Sequence, residues 1–232
     1  MSLKNNSLII VAALTAMSAG FWLASMQSDS NERNAREKAL AEARQNFSAI
    51  QGSILSPTRK IAVPALSKDN GDTFTIDDIS GHWSLLFFGY THCPDICPIT
   101  LGVTAQAKQL ALAESKDFPQ VIFISVDPAR DKLENLGEYV QYFDRDFIGV
   151  TGDEDLIKAL TLQMSVVYMK VSDSRRPDKS RPDEKVSDNY LVDHSSALLL
   201  INPEGRLAAF LNPPHDAQTI VKDIQTVRDL SE

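Results

Sequence analysis

The two cysteines of the chain, Cys93 and Cys97, lie four residues apart in the stretch 87–98, which reads FFGYTHCPDICP. An apolar run precedes this stretch and a helical pattern follows it, so we predict that both thiols share one exposed turn. Pro98 disfavours a helical conformation for Cys97, which predicts Cys97 at the helix N-cap and Pro98 at the first helical position. A helix N-terminus lowers the pKa of nearby thiols, which makes them nucleophilic and able to bind metals.

Three roles fit two thiols at this spacing: a disulfide, a dithiol redox couple, or half of a soft-metal site. A structural disulfide is the least favoured, because it would close only a very short loop. A structural zinc site needs four ligands, and two thiolates with one imidazole suit copper better, above all Cu(I). The chain has four histidines, His82, His92, His194 and His215. We expect His92 to point away from Cys93, whereas a sheet could bring His194 to the cysteine turn; from spacing alone, a structural role is the simpler interpretation of each histidine.

Composition narrows the class of protein. The chain has 232 residues, of which 43% are hydrophobic, enough for one globular domain with an appendage. Its 23 basic and 31 acidic residues give a net charge of −8, with no basic stripe. This argues against a nucleic-acid partner.

The N-terminal region predicts attachment to a membrane. After a short tail, residues 1–6, residues 7–26 carry no charge, and about 20 apolar residues span a bilayer core. A cleaved signal peptide is the alternative, but the apolar run is longer than a signal core, so an uncleaved transmembrane anchor is favoured. Residues 27–60 are predicted to form a polar helical stalk or linker.

The remaining residues, 61–232, predict one α/β domain. A short hairpin around Asn70 and Gly71 comes first. Strands are then predicted at 83–88, 121–126 and 147–150, alternating with helices at 99–114, 132–143 and 153–163. Residues 172–190 form a polar insertion that we predict to be a mobile loop. A hairpin, 196–201 with 206–211, and a helix at 216–230 follow, which together predict a mixed sheet covered by helices.

Three motifs in order carry a resemblance to a known family: Gly89–Pro98, Ser125–Asp131 and Val192–Ser196. They resemble the Sco/SenC family of copper proteins for cytochrome c oxidase assembly, and the resemblance extends from about Ile61 to the C-terminus. It implies a thioredoxin-like fold, a mixed sheet flanked by helices. It also implies that Cys93, Cys97 and His194 are copper ligands, with Asp127 supporting the site from outside the coordination sphere or serving a structural role.

The resemblance implies a copper chaperone. Such a protein would hold copper, as Cu(I) and also as Cu(II), and deliver it to the binuclear copper site of cytochrome c oxidase subunit II. The alternative is a membrane-anchored thiol-disulfide oxidoreductase that reduces the cysteines of that subunit, with Cys93 and Cys97 as its catalytic pair. A peroxidase is a third hypothesis, because thioredoxin-like folds also contain peroxide-reducing cysteines. The three-residue spacer, against two in thioredoxin-type motifs, weighs against the oxidoreductase.

The expected location follows from the anchor. No mitochondrial transit peptide precedes residues 7–26, which favours a single-pass protein of the bacterial inner membrane with its domain on the periplasmic side. A further periplasmic copper chaperone or a thiol reductant is then an expected second partner, since an oxidising compartment requires a source of reduced thiols.

Overall fold

The computed structural model describes Gln27, residues 50–172 and residues 190–231. The chain divides into two compact units, residues 1–46 and 47–232, and only Gln27 of the first is described, within a helix. The predicted anchor at 7–26 and most of the insertion predicted at 172–190 therefore lie outside the described residues, as does the predicted stalk up to residue 49 apart from Gln27. Within the described ranges, no helix combines the length and apolar character that crossing a membrane requires.

Ten strands and four α-helices occur among the described residues of the second unit. The strands are β1 (Gly52–Lys60), β2 (Leu66–Lys68), β3 (Thr73–Phe74), β4 (Ser84–Gly89), β5 (Gln120–Ser125), β6 (Ile148–Thr151), β7 (Tyr168–Ser172), β8 (Tyr190–His194), β9 (Leu198–Ile201) and β10 (Arg206–Leu211). The helices are α1 (Ile96–Ala113), α2 (Leu133–Phe143), α3 (Glu154–Gln163) and α4 (Ala217–Asp229), and a short 3-10 helix spans Ile76–Ile79.

Eight of these strands form one mixed sheet in the order β1-β10-β9-β4-β5-β6-β2-β3, while β7 and β8 form a separate two-stranded sheet. Strands β4, β5 and β6 are parallel, and α1 and α2 connect them, as parallel neighbours require. All six residues of β4 are buried, which explains its continuous apolar sequence. The predicted α/β class and its alternation of strands and helices are confirmed, with boundaries shifted by up to three residues.

Strand β1 lies inside the segment predicted as a linker. It pairs with β10 in antiparallel register from Gly52 opposite Leu211 to Lys60 opposite Arg206. The sheet therefore starts at Gly52 rather than near Ile61, and the prediction of a helical stalk is wrong for residues 52–60. The reason is that β1 is an edge strand in which no residue is buried, so it lacks the apolar alternation that marks a strand; it also contains Pro57, which edge strands tolerate.

One edge of the main sheet collects the segments that carry the candidate site. Gly89, the last residue of β4, lies opposite Ser125, the last residue of β5, so the chain leaves both strands at the same edge. The backbone N–H of Val126 donates to the Gly89 carbonyl at 2.8 Å. Strand β9 runs antiparallel to β4 with Leu198 opposite Phe87, so the residues that precede β9 also reach this edge. In α/β proteins, this carboxyl edge is where ligand sites form.

Candidate metal centre

The cysteine turn connects β4 to α1, and the Cys93 sulfur caps that helix. The N-cap residue Asp95 makes no side-chain capping hydrogen bond. Instead, the Cys97 backbone N–H donates to Cys93 Sγ at 3.4 Å, the bond that an N-cap side chain normally accepts. Cys97 and Pro98 are the second and third helical residues, so the predicted start is two residues late. Proline is tolerated there because the first four N–H groups of a helix have no intrahelical partner.

Gly89 makes room for the second sulfur. Cys97 is fully buried, Cys93 is half-buried, and both are free thiols. A Cβ atom at position 89 would lie 2.8 Å from Cys97 Sγ and 2.7 Å from Cε2 of Phe123, closer than nonbonded atoms approach. Only glycine therefore allows this sulfur to sit at the end of β4. We did not predict this role from the sequence, although a glycine that ends an apolar strand is a usable signal of close approach.

His194 meets the cysteines from β8, which it ends. Its Nε2 lies 3.3 Å from Cys97 Sγ, and its Nδ1 lies 3.1 Å from the Ser195 carbonyl oxygen. A carbonyl oxygen only accepts, so Nδ1 carries the proton and the lone pair of Nε2 faces the sulfurs. The imidazole packs edge-on against Phe87 and Tyr90, with ring centroids 5.9 and 6.0 Å away. The ligand atoms of Cys93, Cys97 and His194 all lie within 4.8 Å of one another.

The two thiols differ in acidity. The hydrogen bond from the Cys97 thiol lowers the pKa of Cys93 well below its ordinary value, and the backbone N–H groups of Cys97 and Asp95 add to this against the opposing effect of burial. The same hydrogen bond raises the pKa of Cys97, and burial raises it further. At neutral pH the pair therefore holds one thiolate, on the more accessible sulfur, and one buried thiol. Thiolate is the form that attacks disulfides and binds metals.

Asp131 holds the cysteine turn in place. Its side chain is wholly buried. It accepts hydrogen bonds from the Thr91 backbone N–H at 3.0 Å, the Thr91 hydroxyl at 2.6 Å and the Ser125 hydroxyl at 2.6 Å. Nδ1 of His92 lies 3.6 Å from the same carboxylate, and His92 does not belong to the metal-binding group. The motif that contains Asp131 is visible in the sequence, but this role depends on the proximity of β4 and β5.

The side-chain contacts of Asp127 differ from those of Asp131. Its buried carboxylate accepts from Nε of Arg130 and, at 2.5 Å, from the hydroxyl of Tyr190. In the part of the chain that the structure describes, Asp127 therefore meets Arg130 and Tyr190 rather than the three ligand residues.

The other two histidines lie elsewhere. Nε2 of His215 is 2.8 Å from the Ser196 carbonyl oxygen and donates to it, a structural role. His82 lines a separate cavity of about 690 Å³ together with Trp83 and Gln120.

A small open cavity gives access to the candidate site. Its volume is about 220 Å³, and its walls include Cys93, Asp95, Ile96, Asp193 and His194. Cys93 and His194 face this opening, and the buried Cys97 sulfur lies beside them. Two sulfurs and one imidazole nitrogen suit a soft metal ion that exchanges ligands, because thiolates prefer such ions and the set is smaller than the four ligands of a structural zinc site.

Comparisons with known proteins agree with this geometry. A family model described as SCO1/SenC matches residues 61–229. The chain is 36% identical over 168 residues to the mitochondrial Protein SCO1 homolog 1 of Arabidopsis thaliana, which covers 71% of this chain and 47% of that protein. It is 39% identical over 159 residues to an SCO2-like protein of Rickettsia prowazekii, which covers 68% of this chain and 72% of that protein.

Solved structures extend the similarity to the fold. The crystal structure of Arabidopsis thaliana ScoI with copper bound is 33% identical, has a TM-score of 0.61, and is matched over 73% of this chain and 99% of that chain. The predicted thioredoxin-like mixed sheet with helices is confirmed. The match to the Arabidopsis SCO1 homolog spans about half, 47%, of the length of that relative.

Proposed function

Because the chain belongs to the SCO1/SenC family, we propose that it binds copper through Cys93, Cys97 and His194 and delivers it to the binuclear copper site of cytochrome c oxidase subunit II. The observation that carries the proposal is the convergence of the three ligand atoms within 4.8 Å of one another. Two thiolates and an imidazole suit Cu(I), with Cu(II) as a second state of the cargo.

The residues have distinct tasks in this function. Cys93 supplies a sulfur that is already ionised, and Nε2 of His194 supplies a lone pair, because the proton is on Nδ1. Cys97 releases its proton when it becomes a ligand, so binding is coupled to proton release. The cavity of about 220 Å³ opens beside Cys93 and His194, so a ligand from an acceptor protein approaches from that side and exchange starts there.

The difference in pKa between Cys93 and Cys97 favours a second candidate function, which is reduction of the cysteines of cytochrome c oxidase subunit II. The Cys93 thiolate would attack a partner disulfide and release one partner thiolate. Cys97, on losing its proton, would attack the sulfur of Cys93 in the mixed disulfide and release the second partner thiolate. The partner gains two electrons, the chain is left with a Cys93–Cys97 disulfide, and a thiol reductant must restore it.

The proposed setting remains the bacterial inner membrane. Residues 7–26 would anchor the chain once, residues 27–49 would form a stalk, and the domain would face the periplasm. A second copper chaperone there would supply the metal, and a thiol reductant would keep the cysteines reduced.

Metal analysis of the reduced, full-length protein under anaerobic conditions tests the binding site. We expect one copper per chain. His194→Ala should weaken Cu(I) binding by more than the roughly 10- to 100-fold typical of losing a residue that supports a ligand. His82→Ala is the matched control, because His82 is exposed and lies in a separate cavity. Equal copper affinity in His194→Ala and His82→Ala would contradict the proposed ligand set.

The same variants separate the two candidate functions. A chaperone loses copper transfer to the purified copper-site domain of subunit II when His194 is replaced. An oxidoreductase keeps disulfide reduction in His194→Ala and loses it in Cys93→Ser. Disulfide reduction without any copper binding by the wild-type protein would favour the second candidate over the first.

A further inference from the structure

His194 reaches the cysteines on a hairpin that is separate from the main sheet. We call this hairpin, β7 with β8, the histidine arm. It pairs from Tyr168 opposite His194 to Ser172 opposite Tyr190, and it shares no strand pairing with the eight-stranded sheet in the described part of the chain. Contacts other than strand pairing must therefore set the distance between the histidine and the two sulfurs.

A cluster of three side chains ties the first residue of β8 to the loop that follows β5. We call Asp127, Arg130 and Tyr190 the arginine clamp. Arg130 forms an ion pair with Asp127 through Nε, and its Nη1 donates to the Tyr190 carbonyl oxygen at 3.0 Å. The Tyr190 hydroxyl donates to Asp127 at 2.5 Å. The guanidinium carbon lies 3.7 Å from the centre of the Tyr190 ring, a close cation–π contact.

Burial makes the arginine clamp selective for one position of the arm. The side chain of Asp127 is fully buried, and that of Arg130 is 15% exposed. Moving Tyr190 away would deprive a buried carboxylate of one donor and a largely buried guanidinium of one acceptor, and unpaired buried polar groups are costly. The position of Tyr190 is therefore held by backbone, hydroxyl and ring contacts at once.

The arginine clamp is also connected to His194 through the ring of Tyr90. The guanidinium carbon of Arg130 lies 5.6 Å from the centre of the Tyr90 ring, and that ring contacts His194 edge-on at 6.0 Å. Tyr90 itself is the residue after β4, and its carbonyl accepts the N–H of Cys93 at 3.2 Å. One aromatic ring thus lies between the clamp, the histidine and the cysteine turn.

We propose that Arg130 and Tyr190 are positioning residues for copper binding, and that they hold the histidine arm so that Nε2 of His194 faces the sulfurs before metal arrives. Fixing β8 at Tyr190 fixes His194, because the two residues are four positions apart on one extended strand, about 13 Å at 3.3 Å per residue. Among the described residues, the carboxylate of Asp127 then acts on the site through Arg130 and Tyr190. The inference rests on the proposed copper-binding function for its consequence, but the ordering of the arm belongs to the metal-free protein.

The test compares Tyr190→Ala, Tyr190→Phe and the control Tyr168→Phe in the full-length protein. Tyr168 lies on β7 opposite His194, and its hydroxyl makes no hydrogen bond with the described residues, so the control removes an equivalent atom from the same arm. The first readout is hydrogen exchange of the β8 amides in metal-free protein. The second is Cu(I) affinity by competition with a chromophoric chelator, with the imidazole contribution measured by X-ray absorption.

We expect graded effects confined to the arm. In Tyr190→Ala, the β8 amides should exchange faster while the amides of α1 stay protected, Cu(I) affinity should fall by roughly 10- to 100-fold, and the imidazole contribution should decrease. Tyr190→Phe keeps the ring over Arg130 and should fall between wild type and Tyr190→Ala. Tyr168→Phe should match wild type.

Hydrogen exchange and Cu(I) affinity can reject the positioning role and the proposed function independently. Exchange and affinity in Tyr190→Phe and Tyr190→Ala equal to those of Tyr168→Phe would overturn the positioning role. If Tyr190→Ala loses protection throughout the domain, Tyr190→Phe decides: faster exchange in β8 alone supports the role, and unchanged exchange rejects it. Wild-type protein that binds no copper would reject the proposed function, whereas faster β8 exchange in the variants would still establish the arginine clamp.

Discussion

The ligands of the candidate metal centre arrive on two arms of different construction. The cysteine arm, residues 89–97, continues a fully buried central strand into α1. The carboxylate of Asp131 ties this arm to the end of β5, because it accepts two hydrogen bonds from Thr91 and one from Ser125. The histidine arm is a separate hairpin, and the arginine clamp holds it by side chains from another loop. The difference shows that the cysteines lie on an arm continuous with the core of the fold, whereas the imidazole lies on a hairpin outside the main sheet. We therefore expect displacement of the imidazole to disturb the core less than displacement of the sulfurs.

The two arms also share one anchor point. Asp127 and Asp131 lie in the same loop after β5, and the backbone N–H of Asp131 donates to the Asp127 carbonyl at 3.0 Å. One carboxylate serves the cysteine arm and the other serves the histidine arm. A partner that disturbs this loop would therefore affect both halves of the ligand set, while a change in Tyr190 should affect only one.

Asp131→Ala should give the largest effect, because it breaks the cysteine arm at its buried support. Three donors lose their common acceptor, and at about 1–3 kcal/mol for each buried unpaired group we expect a loss of roughly 3 kcal/mol or more. Urea unfolding measures the free energy of unfolding. Asp95→Ala is the control, since Asp95 is exposed and makes no side-chain capping bond. Similar losses in both variants would show that the buried carboxylate has no special role.

Gly89→Ala should come next. The added methyl group would meet Cys97 Sγ and the Phe123 ring at 2.8 and 2.7 Å. Overpacking of this kind costs about 1–3 kcal/mol, and the displaced sulfur should also weaken Cu(I) binding. Gly102→Ala is the matched control, because a Cβ atom there has no neighbour within 4 Å. Chelator competition and urea unfolding would refute the close-approach argument if the two glycine variants behaved alike.

Lys170→Ala should have only a small effect on Cu(I) affinity. The variant tests whether exposed contacts also position the histidine arm. Lys170 lies on the histidine arm and pairs with Glu154 of α3 at 2.9 Å, with side chains 32% and 55% exposed. Exposed pairs contribute about 0.2–1 kcal/mol. The Lys170 ammonium also lies 5.7 Å from the centre of the Tyr190 ring, near the outer limit of a cation–π contact. The contacts of Tyr190 with Asp127 and Arg130 remain in the variant, so Cu(I) affinity should stay within about twofold of wild type. An affinity loss as large as that of Tyr190→Ala would mean that surface contacts, not the arginine clamp, position the arm.

We expect the smallest effect when the pH is changed from 8 to 6 and the rate of alkylation of Cys93 is measured. The lowered pKa keeps Cys93 ionised at pH values where an ordinary thiol takes up its proton. The iodoacetamide rate should therefore be nearly constant, whereas an ordinary thiol slows by about tenfold per pH unit below its pKa. Mass spectrometry identifies the alkylated residue.

Two cysteine variants provide the contrast for this measurement. Cys97→Ala removes the hydrogen-bond donor, so the pKa of Cys93 should rise and its rate should fall as the pH falls. Cys93→Ala leaves Cys97 as the one cysteine. Burial still raises the pKa of Cys97 and covers its sulfur, so this variant should react slowly at both pH values. A rate for wild-type Cys93 that falls tenfold between pH 7 and 6 would contradict the assignment of the thiolate.

Most of the central elements were predictable because their patterns are local. The six buried residues of β4 form a continuous apolar run, and Gly71 takes a positive φ of 89° in the predicted hairpin turn. The edge strand β1 and the histidine arm were missed. Neither has a strong apolar pattern: no residue of β1 is buried, and Val192 is the one buried residue of β8.

The sequence by itself determined which residues hold the chemistry: two thiols at a helix start, a histidine in a third motif, and the resemblance that joins them. Tertiary structure alone decided that His194 lies 3.3 Å from Cys97, that Gly89 makes room for a sulfur, and that Asp127 and Asp131 support different arms. The physical reason is that residue types and local spacing specify what a side chain can do. Distances between segments nearly a hundred residues apart depend on strand order and on buried hydrogen bonds.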